Sequence, residues 1–243
     1  MRRHMMMGLI GGILLAGAVQ AGLLAPWDEP FDTDPALNPD YVIGANGDAT
    51  WTYNSISDQL IADGNSGSNG GGNYWFSGAV ANLGDIALTD FHISLNVYSS
   101  SKYNQINLSA LGPAGWSTGY LVYFRSTDQS LDLRRGANSG DNQVATSTGT
   151  IKETGDYIFT LSGHYNDEKL DLTAVITDSL DQSIILNWTD DTPLSGQVFG
   201  VGGRVVSNNT VKLNSLSVVP EPMTMSLFGF CGLGILCARR LFN

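Results

Sequence analysis

The chain has 243 residues, with 12 Lys and Arg against 23 Asp and Glu, a formal charge of −11 at neutral pH. Between residues 22 and 219 eight basic residues face 22 acidic ones, a formal charge of −14, which repels phosphate backbones and argues against nucleic acid as a partner. Both cysteines, Cys231 and Cys237, lie near the C-terminus, so disulfides, thiolate-ligated metals and cysteine nucleophiles are excluded from the body of the chain.

Arg2 and Arg3 precede an apolar run from Met5 to Val19, and Val19-Gln20-Ala21 supplies the residues a signal peptidase reads. Residues 1–21 are therefore expected to be a signal peptide cut between Ala21 and Gly22. Residues 22–41 hold Pro26, Pro30, Pro35 and Pro39 among acids, and read as an extended lead-in, since proline removes donors and resists helix.

From residue 42 to 219 short β-rich segments recur. In order they are 49–53, 59–62, 74–80, 91–98, 120–125, 130–133, 157–161, 170–176, 183–188, 197–206 and 211–218. Two alternate cleanly: Phe91, Ile93, Leu95 and Val97 share one face, as do Leu170, Leu172, Ala174 and Ile176. The connectors are Gly, Asn, Asp and Ser clusters such as 63–73 and 136–142, and no window carries a capped helical period. About a dozen strands at this pitch predict an all-β fold, an antiparallel β-sandwich of jelly-roll type. The 29 glycines exceed the usual share of about 7% and suit many tight turns.

The chain ends on Pro220-Glu221-Pro222, an apolar run from Met223 to Ala238, and Arg239-Arg240. Sixteen residues make a helix of about 24 Å, near the length of a transmembrane span, with the arginine pair as a cytoplasmic stop. This order of tripeptide, apolar segment and basic pair resembles the PEP-CTERM sorting signal of Gram-negative bacteria. The resemblance implies export through the inner membrane, processing by an exosortase-type membrane protease, and a destination in the cell envelope, cell surface or extracellular matrix. It also implies an association with exopolysaccharide and biofilm, and membrane contact through residues 220–243.

A second resemblance covers residues 42–219. Gly155-Asp156-Tyr157 opens an alternating strand, and Leu170-Asp171-Leu172-Thr173-Ala174-Val175-Ile176-Thr177-Asp178 follows. Then come a Trp-bearing strand, Gly196 to Arg204, and a final strand 213–218. This succession resembles the concanavalin A-like lectin/glucanase sandwich, its laminin-G-like branch above all. The resemblance implies that the last strand returns beside the first, and that a sheet face binds sugar.

Retaining glycoside hydrolysis on such a scaffold needs two carboxylates about 5–5.5 Å apart. The four glutamates, Glu29, Glu153, Glu168 and Glu221, start no Glu-x-Asp-x-x-Glu strand motif, and Asp132 and Asp171 stand singly. No Gly-x-Ser-x-Gly elbow accompanies His92 or His164. The expectation is a non-enzymatic protein without catalytic residues; a glycoside hydrolase or polysaccharide lyase of the same superfamily is the alternative. Oxygen ligands at Asp63 and Asn65, and at Asp178 and Asp181, suit calcium as a hard cation, though the same acidic turns also read as plain solvated loops. Trp51, Tyr53, Tyr74, Trp75, Tyr98 and Tyr103 are aromatic candidates for sugar stacking. The preferred set is Trp116, in the glycine-rich loop 111–119, with Tyr120, Tyr123 and Arg125. The sequence thus predicts an exported surface or matrix protein, carbohydrate-binding or structural.

Overall fold

Alternating apolar residues bury one face of nearly every segment, and the described residues form fifteen strands. A computed structural model describes residues 27–65, 71–79, 90–112, 119–136, 142–166 and 168–220. The strands are β1 (Trp27–Glu29), β2 (Tyr41–Asn46), β3 (Ala49–Asn54), β4 (Gln59–Gly64), β5 (Gly72–Ala79), β6 (Phe91–Ser99), β7 (Gln105–Gly112) and β8 (Tyr120–Arg125). They continue with β9 (Ser130–Arg135), β10 (Gln143–Thr148), β11 (Gly155–Asn166), β12 (Lys169–Asp178), β13 (Ser183–Asp190), β14 (Val198–Val205) and β15 (Thr210–Pro220).

These form two antiparallel sheets. The larger has the order β13-β12-β11-β6-β15-β4-β3, with β1 added beside β15; the smaller runs β10-β9-β8-β7-β14-β5-β2. The chain is therefore an all-β, antiparallel β-sandwich, as its alternation predicts. The faces assigned from sequence hold: Phe91, Ile93, Leu95 and Val97 of β6, and Leu170, Leu172, Ala174 and Ile176 of β12, are all buried. Aromatic pairs fill the space between the sheets. Phe91 meets Phe199 edge-on at 5.6 Å, and Phe124 meets Tyr157 at 5.2 Å, a geometry that ring quadrupoles favour.

Strands β1, β2, β7 and β10 were not foreseen. Residues 22–41 are also more than a lead-in where the structure describes them. Strand β1 pairs Trp27 with Val218 and Glu29 with Leu216, and Trp27 and Phe31 pack around Phe76 in the core. The last strand thus does return beside the first. Proline at 30, 35 and 39 limits pairing to three residues without keeping this stretch out of the core.

Ala21 and Gly22, expected to flank a signal-peptide cleavage, and Glu221, Pro222, Arg239 and Arg240, expected to belong to a sorting signal, lie outside the described residues; Pro220 ends β15. Among the described residues no helix is long and apolar enough to cross a membrane.

Candidate functional site

The outward face of the smaller sheet is built in rows, because residues paired across strands point the same way. One row reads Gly44, Trp75, Gly202, Asn107, Tyr123 and Asp132 across β2, β5, β14, β7, β8 and β9. The next reads Asn46, Asn73, Arg204, Gln105, Arg125 and Ser130. Glycine at 202 puts no side chain between Trp75 and Asn107, so the face is hollow there. A depression of about 380 Å³ is lined by Trp75, Gln105, Asn107, Tyr123, Arg125 and Arg134, among others. A second of about 650 Å³ shares Gln105 and Arg125 with it and extends to Tyr103, Asp128, Arg204 and Asn209. The two make one groove with Trp75 towards one end and Tyr103 towards the other.

The groove's side chains are held in place. Gln105 donates from Nε2 to Asn107 Oδ1 at 3.0 Å, and the buried Tyr74 hydroxyl donates to the Gln105 carbonyl at 2.9 Å from the core side. Gly203 makes room for that bond; a Cβ there would lie 2.0 Å from the Gln105 carbonyl oxygen. The Arg134 guanidinium lies 4.1 Å from the Tyr123 ring centre, a cation–π arrangement. Burial raises the Tyr123 hydroxyl above its ordinary value and the Arg134 charge only partly reverses this, so Tyr123 stays neutral at neutral pH. Arg125 reaches Asp128 at 3.0 Å and Asp132 at 3.7 Å. Trp75 lies flat over Gly44: a Cβ at 44 would sit 2.1 Å from the indole ring.

Tyr123 and Arg125, expected to share a side, do so on this face. Tyr120 does not join them. It alternates to the other side of β8, is fully buried, donates from its hydroxyl to Asp190 Oδ2 at 2.6 Å, and so corrects the expectation of a sugar contact. Trp116 lies outside the described residues. Gln105, Asn107, Arg134 and Arg204 were not anticipated.

The proposed calcium ligands do not converge. Four strand spacings separate β4, which carries Asp63, from β12, which carries Asp178, roughly 19 Å. Asp178 spends its carboxylate on the backbone, accepting from Leu180 N and Gln182 N at 2.8 and 3.1 Å and from Lys152 N at 2.8 Å. Asp181 is an exposed turn residue at φ 60°. Asn65 accepts from Thr50 at 3.5 Å. Among the described residues no group of three or more His, Cys, Asp and Glu is placed to hold a metal.

Burial would raise the Asp178 carboxyl, but the three backbone donors outweigh it and hold the group below the ordinary carboxylate range. Its contribution to stability is therefore complete above about pH 4 and is lost as pH falls through the lowered folded value. Asp178→Asn should melt below the parent at pH 7, and the gap should narrow as the pH falls below about 4. A gap independent of pH in thermal unfolding would show that the charge contributes nothing.

Two acids belong to the groove, Asp128 in the β8–β9 turn and Asp132 on β9, and both are ion-paired with Arg125. Asp132 is the only acid on the seven strands of the smaller sheet, and accepts from Thr146 Oγ1 at 2.5 Å. Asp171 lies on the outside of the other sheet, accepting from Thr189. His92 bonds Ser162 and His164 bonds Asp90, both on the larger sheet's strands or at their ends.

No family model matches the chain, and no curated protein matches it in sequence. Its fold does match solved structures. The seed lectin of Lotus tetragonolobus superposes with a TM-score of 0.52 at 13% identity, covering 80% of this chain and 97% of that one. Lectin I-B4 of Griffonia simplicifolia, in its metal-free form, gives 0.51 at 13% identity over 79% and 97%. The metal-free exoplasmic/lumenal domain of VIP36 gives 0.50 at 10% identity over 79% and 90%. The sandwich thus shares its fold with these lectin structures.

Proposed function

We propose that the chain is an exported, non-enzymatic protein whose sandwich binds polysaccharide at the cell surface or in the extracellular matrix. The observation that carries this reading is the row Trp75, Gly202, Asn107 and Tyr123. The Trp75 ring is half-exposed beside the glycine gap, while the Asn107 amide and the Tyr123 phenol, both largely buried, form the floor; such a surface suits a pyranose whose apolar face stacks on the indole while its hydroxyls meet the polar floor. The lectin-type fold supports the reading, since the matched neighbours are lectins by name. The terminal segments support the destination: a signal peptide at 1–21 and a sorting signal at 220–243, processed by an exosortase-type protease in a Gram-negative envelope.

The purified protein should bind at least one soluble polysaccharide in a panel by affinity electrophoresis, without releasing reducing ends or unsaturated products. Failure to retard on any glycan would leave a purely structural matrix role, and product release would restore the hydrolase or lyase alternative. The intact mass of protein recovered from the cell surface should lack residues 1–21 and show whether the chain ends near Pro220.

A further inference from the structure

The two sheets divide the charge of the body unevenly. The seven strands of the smaller sheet carry four arginines, Arg125, Arg134, Arg135 and Arg204, no lysine, and Asp132 as their single acid. The eight strands of the larger carry two lysines and seven acids. In a body of formal charge −14, an arginine-bearing face is against the trend. Arg135 has a structural task, since it turns between the sheets to Asp190. The other three all line the groove.

Arg125 and Arg204 are exposed on this face and Arg134 is half-buried. Arg204 and Arg125 flank Gln105 in one row, on either side of β7, which sets their backbones about 10 Å apart. Arg134 is held over the Tyr123 ring. Asp128 and Asp132 steady the Arg125 fork, and among the described residues that line or adjoin the groove three are cations and two are anions. Guanidinium is the side chain whose planar donors match carboxylate and sulfate oxygens two at a time, which lysine cannot do.

We infer that the ligand of this groove is an anionic polysaccharide, bearing carboxylate or sulfate groups, whose charges meet Arg125, Arg134 and Arg204 directly while Trp75 and Tyr103 take sugar faces. The inference rests on the glycan-binding reading of the same groove. The acidic remainder of the body repels polyanions in general, so charge and sugar contacts must act together to select the ligand.

The test uses the full chain and four immobilised polymers: polygalacturonate, its carboxyl-reduced neutral form, a sulfated galactan and its desulfated form. An anionic polymer should bind, its neutralised form at least about tenfold more weakly, and the pair that shows this difference identifies carboxylate or sulfate. Arg204→Gln, at an exposed position, should weaken binding about tenfold, and Arg204→Lys should restore only part. Binding should fall with added salt and survive a chelator. Equal binding of charged and neutralised forms overturns the inference and leaves the glycan-binding reading intact; binding to none of the four overturns both. Loss on chelation would replace direct arginine contact by a bridging cation. Equally tight binding of single-stranded DNA would reduce the face to a general polyanion surface.

Discussion

Replacing Asp190 by alanine should destabilise the protein by about 3–5 kcal/mol. Asp190 sits at the end of β13 in the larger sheet, yet its Oδ2 accepts from the Tyr120 hydroxyl and from Arg135 Nε of the smaller sheet, both at 2.6 Å. Its Oδ1 accepts from Thr192 N at 3.0 Å. Burial would raise this carboxyl, but the bonds from Tyr120 and Arg135 outweigh it and keep the group below its ordinary range. Alanine would strand a buried phenol and an arginine that has no other acid within reach among the ion pairs of the described residues. For a domain of this size the loss corresponds to a melting temperature roughly 10 °C lower. Asp190→Asn keeps the shape and an acceptor, and should cost about half as much. A melting temperature for the alanine variant within about 2 °C of the parent would show that the inter-sheet clamp is not needed.

Trp75→Ala should weaken glycan binding about thirtyfold, the usual scale of about 2 kcal/mol for truncating a central aromatic anchor, while leaving the fold intact. Trp75 is half-buried on an outward row, and the core residue beside it, Phe76, faces the other way and is fully buried. A second variant separates ring position from ring loss. Gly44→Val would drive a side chain into the space the indole occupies, so affinity should fall with Trp75 still present and its fluorescence shifted to the red. Unchanged affinity in both variants would move the site away from this row.

Much of this fold is legible in the amino-acid order. Strands β6 and β12 announce themselves through four apolar residues at every second position, and β8 places Tyr123 and Arg125 together by the same rule. The site was less legible for a physical reason. Strand β7 buries Ile106, Leu108 and Ala110, a full alternating set, but its intervening residues are Gln105, Asn107 and Ser109, which strands disfavour or tolerate poorly. That polar comb is the middle of the groove. Arg134 comes from β9, the hairpin partner of β8, but Arg204 reaches the groove only because β14 lies beside β7, a pairing of segments about a hundred residues apart that has no local signature. Tyr120 went the other way: two aromatics spaced three apart on a strand must face opposite sides, and its hydroxyl was taken up inside by Asp190.

The position of β15 has a mechanical consequence. This strand carries the chain out to residue 221, and it lies between β6 on one side and β4 and β1 on the other. Tension transmitted through the downstream segment would pull β15 lengthwise against both sets of neighbours, so the rungs would have to shear together instead of unzipping one by one. Trp27 stands opposite Val218, so both ends of the described body leave from the same end of the larger sheet, and a load applied between them would fall on the short β1–β15 pairing first.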